Sequence, residues 1–316
     1  MTRASGVWLS RGLVLACLGL LAGGVLAVRE ILSGGLAVTG LNRPAFWGLM
    51  ESSFLFLAGL GTSATFLGAL MRLTGRGPLR AGMRAAARRA DAVAVACLAG
   101  ASAGLMLHLG RPWLFYRVIL NATPSSPLFW DMCFVTACGL LSALSLLGVG
   151  RTGSGLLERS AAVGAAAIYA AAHSIVWWRH PPVPSLPGGS TLFGPWIAPG
   201  AIAAAACAVA LASASAWKGT RPVFLARAGA AVAAVALAML FVERWRGLSA
   251  RLTHPPMAYN AGSYTPGQDE WMIVAAEAAA AILAARALIW WDRRRDRPAV
   301  NGRTAHRQET SHALIP

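Results

Sequence analysis

Apolar residues run through this chain in long blocks rather than in alternation. Eight blocks approach or exceed the roughly 20 apolar residues that an α-helix needs to cross a bilayer. They are Gly12–Val28, Ala45–Met71, Ala90–Leu109, Pro127–Val149, Ala161–Trp178, Leu192–Ala216, Ala226–Val242 and Trp271–Trp291. The period-two pattern of a transmembrane β-strand is missing from them. The pattern therefore predicts an all-α, polytopic membrane protein with eight transmembrane helices. Val25-x-Ala27 would make a weak signal-peptide cleavage site, but the arginine-flanked continuation predicts an uncleaved first span. Residues 1–297 are expected to form one integral membrane helical domain. The polar, aperiodic stretch 298–316 is expected to be a disordered cytoplasmic tail.

Composition agrees with the pattern. Of 316 residues, 56% are hydrophobic and only 13% charged, about half the charged share of an ordinary soluble domain. The net charge of +16 would suggest nucleic acid in a soluble chain. Here the basic residues sort by loop. Eight spans put both termini on one side, and that side carries 19 Lys and Arg against eight on the other, with Arg286 inside the last span. The positive-inside rule then places both termini in the cytoplasm, and nucleic acid drops out as a partner. The Gly- and Arg-rich connection from Thr74 to Arg88 is expected to lie against anionic lipid. The five cysteines (Cys17, Cys97, Cys133, Cys138, Cys207) all sit in apolar runs without a Cys-x-x-Cys pair. They read as small buried hydrophobes rather than ligands to zinc or an iron–sulfur cluster.

With that orientation, four consecutive spans bring ionisable groups to one depth near the outer face. At about 1.5 Å per residue, Glu51 lies about two turns inside the second span and His108 closes the third. Asp131 lies one turn into the fourth, and His173 one to two turns inside the fifth, followed by Arg179. Ionisable groups within membrane spans are costly and by default mark a site. Spans two to five are expected to form the four-helix bundle that carries it, packed closely through Gly59, Gly61, Ala64 and Gly68. Asp91, Glu243 and Glu277 read as interfacial residues. The loop Arg244–Glu270, with Tyr259 and Tyr264, is large enough to dock a partner. Histidines and carboxylates opening onto an apolar bundle suit a lipid-soluble molecule that exchanges protons, as a quinol does. His108 and His173 are also the one pair placed to serve as axial haem ligands.

The wording of these segments is specific. His108-Leu-Gly-Arg-Pro-Trp113 with Tyr116 is followed by Ser126-Pro127-Leu128-x-Trp130-Asp131. His173-Ser-Ile-Val176, Pro187-Gly-Gly-Ser-Thr191, Phe193-x-Pro195 and Asn42-x-Pro44-x-x-Trp47-Gly48 complete the set, which covers residues 40 to 200. Here the chain resembles the NrfD/polysulfide-reductase membrane-subunit family. Within it, the chain looks most like the quinol-interacting subunits of alternative complex III and of quinone reductase complexes from sulfate reducers. The resemblance implies a non-autonomous subunit of a quinol-linked oxidoreductase in the bacterial cytoplasmic (inner) membrane. It would hold no covalent or metal-ligated cofactor, and quinone or quinol would be its substrate. Its partners would be an extracytoplasmic ferredoxin-type iron–sulfur subunit or a multiheme cytochrome, together with other membrane subunits. By the same resemblance His108 and Asp131 would carry the quinone and proton chemistry; Glu51 joins them as a catalytic candidate from its place within the second span. Pro112, Ser126 and His173 would line the site by that resemblance, and Arg111 and Arg179 are added as binding residues from their positions beside it. Arg179 departs from the pattern, since relatives carry an aspartate shortly after the His-x-Ile-Val stretch.

Two other classes remain open. A secondary transporter would place substrate groups at the bilayer midplane on helices broken by Gly or Pro, whereas these groups sit toward the outer face. A purely structural membrane anchor would leave Glu51 and Asp131 without a reason.

Overall fold

The computed structural model describes residues 2–41, 48–74, 80–121, 123–124, 127–148 and 264–295, with 164, 205–206, 209, 231–232, 234–239, 241–242 and 245–246. Six helices account for most of them: α1 (Thr2–Gly34), α2 (Leu49–Thr74), α3 (Arg80–His108), α4 (Phe115–Leu120), α5 (Pro127–Leu147) and α6 (Gln268–Arg295). All but α4 are long and apolar enough to cross a membrane, over Arg11–Gly34, Leu49–Thr74, Ala81–His108, Phe129–Leu147 and Gln268–Arg295. The chain is thus an all-α polytopic membrane protein with at least five candidate spans. The expected fifth and sixth spans fall almost wholly outside the described residues, the seventh is described in part, as helix, between 231 and 242, and the 298–316 tail lies outside them.

α1, α3 and α6 start ahead of the apolar runs that announce them, whereas α5 ends two residues short of its run. The clearest case is α3, which starts at Arg80 where the run begins only at Ala90. Residues 80–89 are mostly Ala and Arg, strong helix formers despite their polarity, so the helix extends through a stretch expected to be loop. A left-handed Gly110 (φ +64°) ends α3, its amide donating to the Leu107 carbonyl at 2.9 Å. Pro127, whose missing N–H costs nothing in a first turn, opens α5. Asp269 and Glu270 in the first turn of α6 and Arg293, Arg294 and Arg295 in its last complement the helix dipole.

The core is built from α2, α3, α5 and α6, and α2 packs most extensively on α3. Gly61 makes that approach possible, since a Cβ there would stand 2.5 Å from Leu98 Cγ. Leu57, Leu60, Ala64, Val93, Ala94, Cys97 and Ala101 fill the seam. α6 lies against α1, α2 and α3. Its residues Glu270, Ile273, Val274, Glu277 and Ala281 are buried at the i, i+3, i+4, i+7, i+11 spacing of one helix face. Gly23 and Gly24 of α1 receive Met272 and Ala276 of α6. Leu13, Leu15, Leu18, Val25 and Leu26 of α1 are exposed, the condition of a face turned to lipid.

At the Arg72 end of the bundle, buried Asp91 of α3 pairs with Arg72 of α2 and accepts from Ser145 Oγ of α5 at 2.7 Å. Thr65 and Ser142 share a hydrogen bond of 2.9 Å nearby. These bonds tie three helices together where apolar packing alone would leave them free to rotate. Arg88 and Asp292 add a 3.0 Å ion pair between α3 and α6.

Candidate functional site

The opposite end of the bundle holds the start of α2, the end of α3 and the start of α6. Gly48 is the N-cap of α2, and the Ser52 amide bonds its carbonyl at 3.1 Å. Glu51, three residues on, folds back so that Oε2 accepts from the Gly48 amide. That is the carboxylate half of a capping box, which satisfies an amide the helix itself cannot. The other oxygen, Oε1, lies against His108 Nδ1 in the last turn of α3. One buried carboxylate (3% exposed) therefore caps one helix and pairs with the histidine that ends its antiparallel neighbour.

The same device opens α6. Gly267 is its N-cap, with the Trp271 amide on its carbonyl at 3.3 Å, and Glu270 folds back to accept from the Gly267 amide at 2.8 Å. Glu270 also accepts from the Gly40 amide at 3.0 Å and from the Tyr264 hydroxyl at 2.7 Å, and it is fully buried. Tyr264 joins the two caps, because its hydroxyl accepts from the Leu49 amide in the first turn of α2 at 2.8 Å. Gly48 is required here: any Cβ would collide with the Tyr264 hydroxyl. Burial first, and the hydrogen bond to Glu270 after it, raise the Tyr264 phenol well above its ordinary range.

A third carboxylate lies deeper. Glu277, two turns along α6 from Glu270, accepts from Ser53 Oγ of α2 at 2.5 Å and lodges against Gly104 of α3, where a Cβ would overlap its Oε1. Gly104 and His108 are four residues apart on α3 and share a face. The Glu277 carboxyl therefore sits about one turn below His108, on the same side of α3.

Of the residues singled out from sequence, the structure brings Glu51 and His108 into contact. Asp131 is half-buried near the start of α5. Among the described residues, no hydrogen bond or ion pair joins it to Glu51 or His108. Arg111 is exposed after the Gly110 turn, and Pro112 opens the short 3-10 turn Pro112–Leu114. Ser126, His173 and Arg179 lie outside the described residues, as does Asn42–Trp47. Sequence reasoning missed Glu270, Tyr264 and the depth of Glu277. The available signal was a Gly-x-x-Glu ahead of an apolar run, as in Gly48-Leu-Met-Glu51 and Gly267-Gln-Asp-Glu270; a third instance, Gly155-Leu-Leu-Glu158, lies outside the described residues. Among the described residues, no three His, Cys, Asp or Glu side chains gather closely enough to hold a metal ion.

Residues 37–184 match the family model described as Polysulphide reductase, NrfD. Over that segment, just under half of the chain, the sequence is similar to the NrfD family. The NrfD segment contains Glu51, His108, Arg111, Pro112, Ser126, Asp131, His173 and Arg179, whereas Tyr264, Glu270 and Glu277 reach the site from beyond it. No curated protein matches the chain.

Proposed function

We infer that this chain is the membrane subunit of a respiratory redox complex. It binds quinone or quinol near the outer face and exchanges electrons with an extracytoplasmic iron–sulfur or cytochrome subunit, as the quinol-interacting subunits of alternative complex III do. The observation that carries the reading is the buried Glu51–His108 pair at one end of an apolar helix bundle, within the NrfD segment. The basic-residue count assigns that end to the outer face and both termini to the cytoplasm of an inner membrane.

The chemistry follows from the groups present. A quinol gives up two electrons and two protons, and the electrons leave for the docked subunit. A histidine titrates near neutrality and accepts a proton at a ring nitrogen. Glu51 orients that ring and balances its charge, and Asp131 supplies a second carboxylate on the neighbouring α5. Arg111, Pro112, Ser126, His173 and Arg179 would line the pocket and orient the ring.

His108→Ala and Asp131→Asn test this in the assembled complex. Positioned acid–base groups contribute about 100- to 10,000-fold to proton-coupled steps, so quinol-linked electron transfer should fall by that order with subunit composition unchanged. Arg179→Ala should cost less, since an arginine there orients rather than moves a proton. Variants that assemble and keep near-full turnover would show that the site lies elsewhere.

A further inference from the structure

The Glu51–His108 pair accounts for one carboxylate at this end of the bundle, and Glu270 is consumed by three structural bonds, from Tyr264, Gly40 and Gly267. Glu277 is different. It is 7% exposed, lies well inside α6, and receives a single hydrogen bond, from Ser53. Its Oε1 is buried with no hydrogen-bond partner among the described residues.

Among the described residues, no cation pairs with it. The elements packed on α6 here are α1, α2 and α3. From α2 it faces Ser53 and, on the same turn, Glu51. From α3 it faces Gly104, with His108 one turn above and already engaged by Glu51. Its own helix adds Glu270 two turns away. The apposed stretch of α1, residues 20–27, is Leu-Leu-Ala-Gly-Gly-Val-Leu-Ala and carries no titratable side chain. An unpaired carboxylate in such surroundings is expensive, and a neutral carboxylic acid is not. Gly104 supplies the space: only the residue without a side chain admits this carboxyl beside α3.

We propose that Glu277 is a second proton-binding site of this centre, carrying its proton in the resting subunit and exchanging it with the Glu51–His108 level through Ser53. This rests on the quinone reading given above. In quinone reduction, two electrons arrive from the iron–sulfur or haem partner. One proton comes from the His108 imidazolium and one from the Glu277 carboxyl, giving the hydroquinone. Neutral His108 and a Glu277 carboxylate remain and are reprotonated from the aqueous phase. Quinol oxidation runs the same steps in reverse. The climb from Glu277 to His108 is four residues of α3, about 6 Å, a distance one hydroxyl can bridge.

Infrared spectroscopy of the assembled complex tests this directly, because a protonated carboxyl has a C=O stretch that a carboxylate lacks. The resting complex should show such a band, shifted by deuterium exchange and removed by Glu277→Gln. Reduction with decylubiquinone present and reoxidation should make the band fall and recover. Turnover in Glu277→Gln should drop about 100-fold, the lower end for a positioned proton-transfer group. Glu277→Asp should recover much of it with a displaced pH profile. A resting spectrum unchanged by Glu277→Gln overturns the proposal, as does sodium-dependent turnover that Glu277→Gln abolishes without loss of a band. A band that Glu277→Gln removes but that ignores the quinone redox state overturns the coupling and leaves the protonated carboxyl standing. If the His108→Ala complex also turns over normally, the quinone reading itself has failed.

Discussion

Tyr264→Phe removes one oxygen atom and, with it, the link between the caps of α2 and α6. Two bonds go at once: the hydroxyl's donation to Glu270 at 2.7 Å and its acceptance from the Leu49 amide at 2.8 Å. The ring keeps its packing, so no large cavity contributes. A hydrogen bond to a charged group is worth about 1.5–3 kcal/mol, and a buried amide left without an acceptor costs about 1–3 kcal/mol. The sum is a loss of about 2.5–6 kcal/mol, or about 5–20 °C in apparent Tm at a few degrees per kcal/mol. Thermal unfolding of the purified protein at a fixed scan rate measures it. The variant should also respond differently to alkali. Below about pH 10, the ordinary phenol value, folded and unfolded chains both hold the Tyr264 proton, and the network contributes fully. Above it the unfolded chain releases the proton while the folded chain, whose phenol is raised, retains it. Stability therefore falls as pH climbs toward the raised value. Tyr264→Phe lacks this limb, so the gap between the two Tm curves should narrow above pH about 10. An unchanged Tm at neutral pH would mean that the two caps are not coupled through Tyr264.

Gly61→Ala should destabilise by about 1–3 kcal/mol, the usual cost of overpacking. The new Cβ meets Leu98 Cγ at 2.5 Å and the Ala94 carbonyl, which is backbone and cannot swing aside, at 3.2 Å. A wild-type Tm for this variant would show that α2 and α3 are not so closely apposed. A reporter fused after Ala299 should be cytoplasmic and one inserted near Gly262 should be extracytoplasmic. The opposite labelling in intact cells would invert the orientation and move the site to the inner face.

The helical blocks were legible because hydropathy alone demands them, and Glu51 and His108 were legible because an acid and a histidine at the ends of spans need a reason. What hydropathy does not carry is azimuth. Asp131 and Glu51 stand near one level by residue count, yet a count says nothing about which way each points around its helix. Glu277 was passed over for the same reason. It lies in a run that is apolar on average, and only the 270, 273, 274, 277, 281 stripe reveals that two of five inward positions on α6 are carboxylates. Tyr264 and Gly40 are far apart along the chain, and no local pattern announces that they meet at Glu270. The start of α3 was misplaced because hydropathy stops at the arginines while helix propensity does not.

The Glu270 bonds to Gly40 and Tyr264 also set an order of events during biosynthesis. Gly40 and Leu49 leave the ribosome early, more than 200 residues before the Glu270 and Tyr264 side chains that accept from their amides. Until α6 and the Tyr264 segment ahead of it are in place, the Gly40 and Leu49 amides lack these acceptors, and the groove between α2 and α3 lacks its third wall. A nascent chain paused before α6 would thus present a half-built, polar seam to the lipid or to the insertion machinery. The last described helix acts as a closing seal whose arrival completes the pocket, so a subunit truncated ahead of Gln268 would be recognisable to membrane quality control by that open seam.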